Sequence, residues 1–248
     1  MEWHDEGLII GLKKYGETSV ILEAMTRRHG RHAGLVKSGR SRRMQPLLQP
    51  GNDMQLVWRA RLEDQLGVYT VEPLKLRAAQ VMESAAALQG INLVGALLRL
   101  LAEREPHESL YAAACVIADH LAEHPDEAEI AAVLFVHFEL ALLAELGFGL
   151  DLDKCAASGG REDLVYVSPK SGRAVSAAAG APYRERLLEL PDFLRPQPRG
   201  QAPSLAEIRA GFRLAEYFLR RDLFEPRGLG FPAAQGAFLA EMAKAGES

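Results

Sequence analysis

The constraint that most limits how this chain can fold is a change of rhythm at Pro73. Before it, no pattern lasts longer than about eight residues. GLIIGLKK, TSVILEAMT, RHAGLVKSG, MQLVWRARL and LGVYTVEP are short β-favouring runs separated by Gly, Asn or Asp. Five strands within residues 6–72 predict a small closed or partly closed barrel, because so short an open sheet leaves an apolar face and two edges to cover. Propensity does not choose the barrel topology, and an SH3-like barrel is the nearest competitor.

After Pro73 the Ala/Leu-rich stretch LKLRAAQVMESAAALQGINLVGALLRLLAER has helical periodicity, with only Gly90 and Gly95 to break or notch it. Residues 107–122 and 126–146 predict two further helices, and Gly147 is placed to end the second. Ser204 and Glu207 form a capping box for a helix with Leu205, Ile208, Phe212, Leu214, Ala215 and Phe218 on one face. Pro191, Pro196, Pro198 and Pro203 mark a stiff, helix-averse linker before it, and FPAAQGAFLAEM predicts a last amphipathic segment. The expected organisation is an α+β chain: a barrel domain over residues 1–75, then a helical domain over 76–248 interrupted by an irregular hairpin insert at 150–182.

Charge is distributed unevenly. The formal net charge is -4, yet from Ala24 through Asn52 there is no Asp or Glu, while Arg27, Arg28, Arg31, Lys37, Arg40, Arg42 and Arg43 accumulate beside His29 and His32. Glycines 30, 34 and 39 interleave with them, which suits strand ends and loops approaching a polyanion backbone. A small barrel with a basic loop is a usual way to hold single strands, with Trp3, Tyr15, Trp58 and Tyr69 as candidate stacking residues. The plainer reading of such a run is a solvated face, and of such aromatics, barrel core. A second Arg/Phe combination lies at 209–227, where Arg209, Phe212, Arg213 and Arg220 suit an acidic, aromatic-tipped peptide or, equally, arginines lying over an apolar helix face.

Catalytic signatures are absent. There is no phosphate loop, no H-E-x-x-H and no G-x-S-x-G, and the acidic groups at Asp5-Glu6, Asp126-Glu127-Glu129 and Asp151/Asp153 have no second cluster spaced for a metal pair. His137 and Glu139, two apart on a helix, point different ways, and His137 is read as a packing residue. Two cysteines, Cys115 and Cys155, make no disulfide framework and suit a reducing compartment. The acidic N-terminus does not read as a signal peptide, and the run near 130–146 is interrupted by His137, Glu139 and Glu145. A cytoplasmic protein without membrane attachment is expected.

Several words occur in an order and spacing that resemble the RecO family of bacterial recombinational repair proteins: WHDEGLII at 3–10, YGETSVIL at 15–22, TRRHGRHAGLVKSGR at 26–40, LLQPGN at 47–52, ELGFGLDLDKCAASG at 145–159, LVYVSPKSGRAV at 164–175 and PYRERLLELPDFL at 182–194. The resemblance implies an N-terminal OB-fold, a helical C-terminal domain and no enzymatic activity. It implies binding of single- and double-stranded DNA, annealing of complementary strands, and cooperation with RecR in loading RecA onto DNA coated by the single-strand-binding protein SSB, with nucleoid association during repair. It places DNA on the basic run and raises Arg209, Phe212, Arg213 and Arg220 as a candidate contact for the acidic, Phe-ended SSB tail. Some relatives carry a four-cysteine zinc ribbon in the insert. Here its positions hold Cys155, Ser158, Ser176 and Ala179, so a zinc-ribbon-like hairpin without metal, and no cofactor, is expected. The competing reading is an interaction adaptor that does not touch DNA; a metal-dependent nucleic-acid enzyme ranks last.

Overall fold

The computed structural model describes residues 1–245. Five strands come first: β1 (Glu2–Tyr15), β2 (Ser19–Thr26), β3 (Gly30–Val36), β4 (Asp53–Arg59) and β5 (Val68–Lys75). They close into a barrel in the order β1-β2-β3-β5-β4. β3 and β5 meet in parallel at Leu35 and Val68, and the remaining pairs are antiparallel. This Greek-key order is that of an OB-fold, not the all-antiparallel meander of an SH3-like barrel.

β1 is long because it serves two neighbours. Glu2–Leu8 pair with β4, Gly7–Tyr15 pair with β2, and a bulge between Ile9 and Gly11 bends the strand from one partner to the other. Its polar start is strand because alternate side chains turn inward, Asp5 among them. Leu22, Met54, Leu56 and Trp58 fill the interior and are essentially inaccessible, each contributing about 1.5–3 kcal/mol by leaving water.

The chain divides into two compact units. One comprises residues 1–128 with the segment from Pro232 onward; the other is 129–231. In the first, the barrel is joined by α1 (Ala78–Val81), α2 (Ala85–Leu98), α3 (Glu108–Glu123) and α7 (Ala233–Ala245), with α2 packed against α3, α7 and β1. The helical periodicity after Pro73 is broken at 82–84 rather than at its glycines. Strand β5 runs to Lys75, and Ser84 caps α2 by accepting from the Ala87 amide at 3.2 Å. Gly95 instead brings α2 close to the barrel, since a Cβ there would sit 2.9 Å from the Ile10 carbonyl oxygen. Beneath α1 the buried Arg77 guanidinium donates to Asp53 (2.8 Å), Asp119 (2.5 Å) and the Gly51 carbonyl (3.0 Å), while the Asn52 carboxamide accepts from the Arg77 and Ala78 amides.

The second unit holds nearly all of α4 (Ala128–Glu145), then β6 (Leu164–Val167), β7 (Ala174–Ser176), α5 (Ala177–Gly180), β8 (Leu188–Glu189) and α6 (Leu205–Leu219), whose end widens into a π turn at Arg220–Phe224. Phe135, Phe138, Leu142, Phe212, Leu214 and Phe218 form its interior. The predicted insert is a β6–β7 hairpin, and β8 adds a third strand beside β6. Gly147 follows α4 in the left-handed region (φ +87°), as a helix-ending glycine does. The Ser204–Glu207 capping box is formed in both directions. Among the described residues no helix is long and apolar enough to cross a membrane.

Candidate nucleic-acid interface

The seven cations of the acid-free run do not form one surface. β2 and β3 carry them to opposite ends of the barrel, because the β2–β3 turn at 27–29 lies at one end and the loop leaving β3 at the other.

At the second end, Lys37, Arg42 and Arg43 are exposed, with no ion pair among the described residues. The Arg40 amide donates to the Thr18 carbonyl (2.9 Å) and its guanidinium to the carbonyls of Glu17 (2.6 Å) and Gly16 (3.2 Å), which ties this loop to the β1–β2 turn. That tie brings in Lys13, Lys14 and Tyr15, all exposed and the two lysines likewise unpaired. The lysines escape a search for acid-free sequence because Glu17 and Glu23 follow them; their signal is the Lys-Lys pair leading into a Tyr-Gly turn. Glu17 is the acidic side chain in the turn, and Glu23 is engaged elsewhere by Arg31 and Arg99 at 2.7 and 2.8 Å. The pole is a concentrated cationic field on a chain that is acidic as a whole.

At the first end the cations are occupied. Arg27 pairs with Glu108 at 2.7 Å. Arg31, only 17% exposed, pairs with Glu23 (2.7 Å) and Glu103 (3.3 Å) and donates to the Leu101 carbonyl. Arg28 is the open member, 75% exposed and 4.0 Å from the Asp5 carboxylate. Asp5 itself is buried and accepts from the amides of Glu6 and Arg28 and from His29 Nδ1, at 2.8–2.9 Å, so it holds the turn in place. Gly30 allows that turn: it has φ +65°, and a Cβ there would lie 1.9 Å from the Glu105 carbonyl oxygen.

Aromatic rings gather behind this turn. Trp3 stacks on His29 with centroids 4.1 Å apart and planes 8° from parallel; Trp58 lies 5.7 Å from Trp3, and His32 and Tyr69 meet it edge-on. The Trp58 indole donates to the Leu66 carbonyl at 2.9 Å, and Tyr69 hydroxyl and His32 Nδ1 are 2.9 Å apart. Burial, with the Arg104 charge second, depresses the His32 imidazole to about 4, so it is neutral near pH 7. Of the four aromatics singled out by sequence, Tyr15 is exposed, Trp3 is partly exposed, and Trp58 and Tyr69 belong to the barrel interior. Arg28, Arg104, Glu63, Glu2 and Met1 border a cavity of about 240 Å³ against Trp3, His29, His32 and Trp58.

In the second unit, Arg209 and Arg213 are exposed on α6, with Arg213 3.7 Å from Glu189. Arg220 is bonded to Glu216 (2.6 Å) and lies over the Phe231 ring at 4.3 Å. Phe212 is 1% exposed and packs in the core, so on this helix only the arginines of the expected set reach the surface. The heptad-like face that made Phe212 read as helical is the same face that buries it. His137 is exposed on α4 and lies edge-on to Phe193.

The hairpin insert does not fit a metal. Cys155 Sγ accepts from the Ser176 amide at 3.3 Å and is 3.5 Å from the Ser176 hydroxyl, and among the described residues no three His, Cys, Asp or Glu side chains converge. Burial raises the Cys155 thiol, but hydrogen bonds from Ser158 and Ser176 outweigh it and bring the thiol down to about 6.

Comparison with known proteins matches residues 1–77 to the Recombination protein O N terminal family and residues 85–229 to the Recombination protein O C terminal family. The chain is 60% identical over 244 residues to the DNA repair protein RecO of Methylocella silvestris, covering 98% of this chain and 97% of the relative. It is 57% identical to that of Beijerinckia indica (98% and 96%) and 55% identical to that of Sinorhizobium medicae (99% and 96%).

Proposed function

Because the chain belongs to the RecO family of DNA repair proteins, we propose that its OB-fold binds DNA through the cationic pole and that the protein acts as a recombination mediator. The observation that carries this reading is the set Lys13, Lys14, Lys37, Arg42 and Arg43, without an ion pair among the described residues and exposed around one barrel end on a chain of net charge -4. Cations already paired to carboxylates release no counterions to DNA, whereas these five do.

The rest of the reading extends from that surface. Basic side chains that screen two phosphate backbones bring complementary strands together, and base pairing supplies the sequence match, so annealing needs no reacting group and we assign no catalytic residue. Arg209, Arg213 and Arg220 are candidate contacts for the acidic tail of SSB, and RecR and RecA are the expected partners in loading. The hairpin insert takes no metal in this scheme and is held by strand pairing and burial.

Charge reversal tests the surface directly. The triple variant Lys37→Glu, Arg42→Glu, Arg43→Glu is expected to bind a labelled single strand more weakly and to lose about 2 from the slope of log K against log salt, at about 0.7 per phosphate contact. A folded triple variant with unaltered affinity and slope overturns the assignment.

A further inference from the structure

The opposite end of the barrel has a different chemistry. Its cavity of about 240 Å³ is smaller than the roughly 300–1,000 Å³ usual for drug-sized ligands, and so suits a single ring system. Its walls are planar, with the parallel Trp3–His29 pair and His32 and Trp58 beside it. Its rim is charged, with Arg28 reaching outward and Glu63 and Arg104 beside it. An aromatic wall with a cation at its edge matches a nucleobase joined to its phosphate, since the π-face of a base stacks irrespective of sequence while the phosphate meets the guanidinium.

The pocket is built, not merely left over from packing. The buried Asp5 carboxylate fixes both the Arg28 backbone and the His29 ring, which holds the ring over Trp3. The Tyr69–His32 bond fixes the wall behind. Gly67, at φ +65°, leaves room for the Trp58 indole, because a Cβ there would lie 2.2 Å from its Nε1. Arg104 bonds the carbonyls of Glu63 and Gln65, which anchors the β4–β5 loop at the rim.

We propose that this cavity is a base-binding site that takes one unstacked nucleobase of a single strand against the Trp3–His29 pair. The proposal rests on the barrel being a DNA-binding surface and adds a division of labour to it. The cationic pole holds any phosphate backbone, while the aromatic pole accepts only a strand whose bases are free. Duplex DNA, with its bases stacked and paired, reaches the cationic pole alone.

The two tryptophans of the chain, Trp3 and Trp58, both border this cavity, so intrinsic fluorescence reports on it selectively. The experiment titrates the full chain with an oligothymidylate of about 20 nucleotides, longer than the 4–16 that one such fold covers, and with an abasic phosphodiester strand of equal length. Anisotropy reads binding and tryptophan emission reads the pocket. Expected are binding of both strands, quenching by the thymidylate only, and a preference for the base-bearing strand. That preference should fall about 5- to 150-fold in Trp3→Ala, the range of a lost base–aromatic stack, and be largely kept in Trp3→Phe. Equal affinity for the two strands with no quenching overturns the pocket and leaves the DNA-binding surface standing. Failure of both strands to bind at low salt overturns the DNA-binding surface itself, and the pocket with it. If Trp3→Ala does not fold, quenching of the unmodified protein by the thymidylate and not by the abasic strand decides alone.

Discussion

Asp5 and Glu139 are both buried carboxyls, and what separates them is partners. Asp5 receives three donors and organises a turn. Glu139, 0% exposed on α4, has no hydrogen bond to either oxygen among the described residues, and burial followed by the nearby Glu216 charge raises its carboxyl well above the usual range. Folding therefore favours its neutral, protonated form over a wider pH range than in the unfolded chain, where it ionises around the ordinary value of 4.5. Stability is therefore lost as pH rises from the unfolded value towards the folded one. Glu139→Met, which keeps the volume and removes the unmet polar group, is expected to stabilise the protein by about 1–3 kcal/mol, with a gain in urea denaturation larger at pH 8 than at pH 5. A loss at both pH values would show that Glu139 has a role in the fold. The same lesson applies to the cations: Arg31 and Arg42 are alike in sequence, but Glu23 and Glu103 reach only Arg31. Glu23 meets Arg31 through the β2–β3 strand pairing and Glu103 comes from beyond α2, so the neighbouring residues of the two arginines do not distinguish them.

Elements were legible where their signals are local. The five strands, α3, α4 and α6 appear where periodicity places them, and the Ser204 cap is readable from four residues because the box closes within one helical turn. The Ser204 amide and hydroxyl hold the Glu207 carboxyl below its usual range. Ser204→Ala is expected to cost about 1 kcal/mol, read as a lower urea midpoint with an unchanged m-value; no shift would mean that the first turn of α6 is held by its packing. Where elements were misread, a longer-range requirement had prevailed. Met82–Ser84 interrupt a helical pattern because β5 must first finish the barrel and α2 must then pack against β1, which Gly95 allows. β8 has two residues and no pattern to detect; only the exposed edge of β6 accounts for it.

On the whole molecule, charge arrangement matters more than net charge. Five cations at one barrel end, without an ion pair among the described residues, give an expected log K against log salt slope of about -3.5 on single strands, despite the net charge of -4. Arg27→Glu, which breaks a pair with Glu108, should leave that slope nearly unaltered; a drop as large as that from Arg42→Glu would mean that the two poles share one strand path through Arg27. The sequence by itself determined the order of strands and helices, the family, and the presence of a basic run without acids, because each is written in neighbouring residues or in ordered words. Only the tertiary structure decided how that run is used. The barrel parts Arg27, Arg28 and Arg31 from Lys37, Arg42 and Arg43, adds Lys13 and Lys14 to the second group, and gathers Trp3, His29 and Trp58 into one cavity. Strand pairing sets those distances between residues far apart in the chain, and electrostatics and stacking act over distance in space.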